Sequence, residues 1–129
     1  MRRLIVGVFL VPHGLVHLWY VVLSQGWIEV EDEMGWNGQS WLLSPVFSEG
    51  TILAAASVLY VGVTVGFVLG GVGVALGTDW WPPVVVGAAV LSTAVLVAMW
   101  DGRLELLVEK GVAGVAINLL LVAAVVLLE

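Results

Sequence analysis

A chain of 129 residues that is 61% hydrophobic and 11% charged has too few polar side chains to coat a water-soluble domain, in which roughly a quarter of residues carry charge. Ten acids against four bases, a net charge of −6, argue against nucleic acid as a partner, since phosphate backbones are held by clustered Lys and Arg. With no cysteine in the chain, disulfides, thiolate metal sites and covalently attached haem are excluded. The class that remains is an all-α integral membrane protein: a four-helix bundle with a Trp-rich extramembrane first loop, forming one domain over residues 1–129.

The first predicted span covers residues 4–24, about 31 Å at 1.5 Å per residue, which matches the hydrocarbon thickness of a bilayer. Met1-Arg2-Arg3 ahead of it resembles the start of a signal peptide. The apolar run is too long for one, however, and no small-x-small cleavage site follows, so the span is expected to be retained. Within it lies Pro12-His13-Gly14-Leu15-Val16-His17-Leu18-Trp19-Tyr20. The i, i+4 spacing puts His13 and His17 on one helix face. Pro12 cannot donate to the carbonyl of Val8, so a kink is expected just below them, and Gly14 allows a close approach.

Residues 25–44 form the predicted loop, with Trp27, Trp36 and Trp41 beside Glu29, Glu31, Asp32 and Glu33. Trp favours the headgroup region, so this segment reads as a cap on the membrane surface with its carboxylates in water, reversed by a turn at Trp36-Asn37-Gly38. The second span is predicted over 45–69, with Ser44 as cap, Pro45 at the first helical position and Glu49 near the positive dipole end. Gly62, Gly66 and Gly70 recur every four residues, and Gly73 and Gly77 repeat the spacing. Such a stripe lets another helix approach backbone to backbone, and packing within the chain is favoured over packing on a second copy.

A glycine-rich connection, 70–81, should lead into a third span over 82–100, capped by Thr78 or Asp79, with Trp80 and Trp81 as anchors and Pro82-Pro83 in the first turn. Ser92 and Thr93 on it can bond back to their own helix or across to a neighbour. The fourth span is predicted over 106–128, with Asn118 near its midpoint. Four crossings leave both termini on one side. Arg2 and Arg3 place the N-terminus in the cytoplasm of a cell-membrane protein, although Arg103 and Lys110 then lie outside.

Ionisable groups inside a membrane are expensive and point to function. The plainest role for His13 is a structural hydrogen bond to Asn118, which sits at a similar depth. His17, nearer the outer interface, is expected to bond Tyr20, Trp19 or a loop carboxylate. Metal and haem are disfavoured cofactors. His13 and His17 make only a half-site, its third ligand would have to come from Glu29 to Glu33, Glu49 or Asp101, and haem with two His ligands would need a symmetric dimer. A quinone or lipid bonded by His13 or His17, with Trp19, Tyr20 and Tyr60 lining the pocket, fits better. His13, His17, Thr64, Ser92, Asn118 and Tyr60 are too sparse along the sequence to define a proton path. No phosphate loop, nucleophile–base pair or paired intramembrane carboxylate suggests a hydrolase or NTPase.

Several short motifs carry a likeness. They are Arg3-Leu4-Ile5-Val6-Gly7 with His13-Gly14-Leu15-Val16-His17-Leu18, then Gly38-Gln39-Ser40-Trp41-Leu42-Leu43, Trp100-Asp101, and a glycine with the amide Asn118 on the last span. Over its whole length the chain loosely resembles small four-helix membrane proteins of the broad DoxX-like group. The resemblance implies His13, His17 and Asn118 facing the bundle interior. It also implies, for some members, a place in quinone-linked sulfur or thiol oxidation, but the absence of cysteine departs from any thiol-relay version. The expected function is that of an accessory or scaffold subunit holding a lipid or quinone near the first helix. Its partners would be the bilayer and either further copies or a larger membrane complex. A redox-linked protein using His13 and His17 at a quinone or metal is the alternative, and a small transporter or channel subunit the third.

Overall fold

The computed structural model describes residues 1–28, 36, 38–102 and 111–128. Among these residues all regular structure is helical: α1 (Arg2–Val16), α2 (Leu18–Gln25), α3 (Glu49–Leu76), α4 (Trp81–Ala98) and α5 (Val112–Leu128). Helices α1 and α2 are two parts of one apolar stretch, Arg2–Gln25. That stretch, α3 and α4 are each long and apolar enough to cross a membrane, while α5 is shorter. Its 17 residues are at the lower limit for a crossing.

The first stretch breaks at His17, while its helix continues through Pro12. The reason is local competition for carbonyls. The His17 ring Nδ1 bonds the His13 carbonyl at 3.0 Å, and the His17 backbone N–H turns to Gly14 O at 3.1 Å. The next turn repeats the tight step, Tyr20 N–H bonding His17 O at 3.2 Å. Gly26 then ends α2 in the left-handed region (φ 67°), a conformation glycine adopts without a Cβ penalty.

Helix α3 departs from expectation at both ends. It begins at Glu49 rather than 45, because Ser48, not Ser44, is the cap: its hydroxyl accepts the Thr51 N–H at 3.3 Å. Ser44 and Pro45 belong to a preceding turn, in which Leu43 N–H bonds Ser40 Oγ and Phe47 N–H bonds Leu43 O. At the far end α3 runs through the glycines to Leu76 and stops at Gly77 (φ 71°), so residues 70–76 are helix and not connection. Thr78 closes this terminus, its N–H and hydroxyl both donating to Gly73 O at 3.0 Å. Neither Thr78 nor Asp79 therefore caps α4, whose N-cap is Trp80 with no side-chain bond. Helix α4 ends at Ala98, two residues early, and α5 starts at Val112; the predicted helical stretch over 106–110 lies outside the described residues.

Only part of the first loop is described; Glu29, Glu31, Asp32, Glu33 and Asn37 lie outside it. Trp27 is exposed, whereas Trp36 is buried in the core instead of lying at a surface. Trp41 N–H bonds Trp100 O at 2.7 Å, its indole N–H bonds Val97 O at 2.6 Å, and the Ser40 hydroxyl bonds Ala98 O. These donors take up carbonyls at the end of α4 that no further helical turn would satisfy.

Helix α3 is the centre of the packing, touching α1, α2 and α4, while α5 packs on α4. A Cβ on Gly66 or Gly70 would stand 2.9 Å from Ala88 Cβ and 2.5 Å from Val85 Cγ2, so these two glycines seat α4. Gly62 meets nothing within 4 Å and is not a packing residue. The tightest approach to α1 uses glycines outside the four-residue series: a Cβ on Gly7 would lie 2.7 Å from Gly71 O, and one on Gly14 would lie 2.7 Å from Phe67 Cβ.

The buried apolar residues fall into two clusters. One gathers Tyr20, Leu23, Trp36, Ile52, Tyr60 and Met99 among others; the second includes Leu10, Val63, Phe67, Val85 and Val125. Between them come His13 and His17 on the first stretch and Ser92 on α4, with Thr64 of α3 at the edge of the second cluster.

Candidate functional site

The layer between the two clusters is polar and almost sealed: His13 is 9% exposed, His17 3%, Asn118 1% and Ser92 0%. The break at His17 turns its ring towards α4. His17 Nε2 lies 2.6 Å from Ser92 Oγ. Asn118 on α5 reaches both neighbours, with Oδ1 3.0 Å from His13 Nε2 and Nδ2 at 2.8 Å from Ser92 Oγ and 3.3 Å from Thr93 Oγ1.

The donors and acceptors in this cluster have one consistent assignment. A carbonyl only accepts, so His17 Nδ1 carries the proton donated to His13 O, and in the neutral ring Nε2 is then an acceptor. Ser92 must donate to it. Thr93 donates to Ala89 O at 2.9 Å, so both hydroxyl oxygens accept from the Asn118 amide, which fixes Nδ2 on that side and Oδ1 towards His13. His13 consequently donates through Nε2–H. The result is a closed, one-directional circuit: His13 ring to Asn118, to Ser92, to the His17 ring, and back to the His13 carbonyl. Charge buried at this depth would be costly, and the circuit is complete with both imidazoles neutral.

Thr64 supports the circuit from α3, its hydroxyl lying 3.1 Å from Gly14 O and 2.9 Å from Tyr60 O. Phe67 closes it on one side, with its ring centroid 4.8 Å from that of His13. Tyr20 stacks on Tyr60 at 4.8 Å on the other side. Among the described residues, no buried side-chain nitrogen or oxygen lacks a hydrogen-bond partner.

Of the residues singled out from sequence, His13, His17 and Asn118 come together and Tyr20 lies next to them. Trp19 does not join them; it is 42% exposed on the outer face. His17 bonds Ser92 and a backbone carbonyl, not Tyr20, Trp19 or a carboxylate. Ser92, Thr93 and Thr64 were not singled out as site residues, although hydroxyls in the middle of apolar spans are a readable signal. A second polar contact, Ser24 Oγ to Ser57 Oγ at 2.7 Å with Gln25 Nε2 donating to Ser57 at 2.6 Å, ties α2 to α3 nearer the end of the span.

Among the described residues no group of three or more His, Asp or Glu side chains is placed to hold a metal ion. Glu49 and Asp101 are thus not brought to the histidines, and Glu29 to Glu33 lie outside the described residues. The arrangement can lock three helices in one register. One imidazole nitrogen, His13 Nδ1, stands outside the circuit. Comparison with protein-family models, curated proteins and solved structures finds no match to this chain.

Proposed function

We propose that this chain is a four-span integral membrane protein of accessory kind, a scaffold subunit of a larger membrane complex or homo-oligomer, with its N-terminus in the cytoplasm. Three long apolar helices support the membrane reading. The observation that carries the accessory role is the closed circuit: both His17 nitrogens, the whole Asn118 amide and Ser92 are engaged with one another. Inside the circuit no group is left to exchange a proton with a substrate, as acid–base turnover requires; His13 Nδ1 alone stands outside it. Alkaline extraction of native membranes should leave the protein with the bilayer. Chemical cross-linking in those membranes should then give bands above the 13.7 kDa chain. Release into the supernatant would reject the first half of the reading, and a strictly single-chain pattern the second.

A lipid or the reduced form of a quinone held beside α1 is the second reading, favoured by His13 Nδ1, which can accept an O–H, and by the DoxX-like resemblance. Organic extraction of the purified protein, with an absorption spectrum and metal analysis, tests it. Co-purified quinol, or the quinone it oxidises to, that is missing from a His13→Phe variant would support it.

A further inference from the structure

The same assignment that closes the circuit leaves His13 Nδ1 as a bare lone pair, an acceptor with no donor: His13 Nε2 is engaged with Asn118, and no other hydrogen bond involves this ring. No buried side-chain nitrogen in the described structure is without a partner, so Nδ1 reaches the molecular surface. His13 lines a shallow groove of about 560 Å³ together with Ile5, Val8, Phe9, Pro12 and Val16, and this groove is the surface at which we place Nδ1.

The rest of the lining is hydrocarbon and supplies no side-chain donor. In water such an acceptor would be hydrated. In hydrocarbon an unsatisfied group has a cost, which an apolar molecule bearing a donor removes.

We propose that this groove is a binding site for a lipid-soluble hydroxyl compound, whose O–H donates to His13 Nδ1 while its apolar body lies along Phe9 and Val16 in the acyl chains. The assignment rests on α1 crossing the bilayer, as in the reading above, and sharpens it: the ligand is a donor. A quinone, which only accepts, is rejected; its reduced form, a quinol, and a prenyl alcohol are both admitted.

The test uses the full chain in lipid nanodiscs with ¹⁵N-labelled histidine. Farnesol is compared with farnesyl methyl ether, and decylubiquinol with decylubiquinone under a reductant. Both hydroxyl probes should move the His13 Nδ1 resonance while the ether and the quinone leave it in place, and the tighter of the two hydroxyl probes identifies the source. His13→Phe should abolish the preference of alcohol over ether, which should be about threefold to tenfold in the unaltered chain, the worth of one ordinary hydrogen bond; if that variant does not fold, the Nδ1 resonance of the unaltered chain still decides.

Equal binding of alcohol and ether, or an Nδ1 resonance that neither hydroxyl probe moves, overturns the proposal. So does an Nδ1 signal already shifted by a co-purified protein, which would assign the donor to a neighbouring helix. In each case intact His17 and His13 Nε2 signals leave the scaffold reading standing.

Discussion

Asn118 gives the buried layer its direction, because an amide is the one neutral side chain that both accepts and doubly donates. With hydroxyls at 2.8 and 3.3 Å from its nitrogen, it turns its oxygen to His13 and requires a proton on Nε2 there, whereas the His13 carbonyl requires one on Nδ1 of His17. Magic-angle-spinning ¹⁵N spectra should show His13 protonated on Nε2 and His17 on Nδ1; the same tautomer at both positions would contradict the circuit. The pairing of His13 with Asn118 was readable from sequence because both lie at mid-span. The pairing of His17 with Ser92 was not. It depends on the rotation of α4 about its axis, which Ala88 and Val85 set by packing on Gly66 and Gly70, and spacing along one helix carries no information about the rotation of another.

At the scale of elements, small residues decide which backbones meet. The four-residue glycine series on α3 pointed to a packing face, and two of its members serve one, but the face that receives α1 uses Gly71 with Gly7 and Gly14 opposite. A lone glycine such as Gly7 gives no periodic signal, so that crossing was illegible. Gly7→Ala should destabilise the fold by about 1–3 kcal/mol, since a rigid carbonyl stands 2.7 Å from the new Cβ. Gly62→Ala, in open space, should be neutral or stabilise by up to about 1 kcal/mol through helix propensity. Thermal or SDS unfolding in detergent compares the two. The boundaries of α3 were misplaced for a related reason: Pro45 fits a turn as well as a first helical position, and glycines weaken a helix in water far more than in a packed apolar setting, where neighbouring helices exploit them.

For the molecule as a whole, the all-helical class and the number of apolar stretches were legible from composition and run length alone. The path of the first loop was not, because Trp36 could rest at an interface or fill a core, and only the tertiary packing of Tyr20, Ile52 and Met99 decides. The way α5 is held shows how much depends on single side chains. Its backbone lies close to α4 and to no other described helix, and Asn118 supplies its hydrogen bond to α1. In a double-mutant cycle of His13→Phe and Asn118→Leu, the coupling energy read from unfolding should be about 0.5–2 kcal/mol. Strict additivity would mean that the 3.0 Å contact contributes nothing to the fold.

Because Asn118 lies on α5, downstream of both α1 and α4, the circuit stays open until that helix has been synthesised and docked. During that interval the His13 Nε2–H and the Ser92 oxygen lack their amide partner, and an unsatisfied polar group in an apolar setting is costly. Docking of α5 removes that cost, so the histidine layer favours the arrival of the helix that completes it.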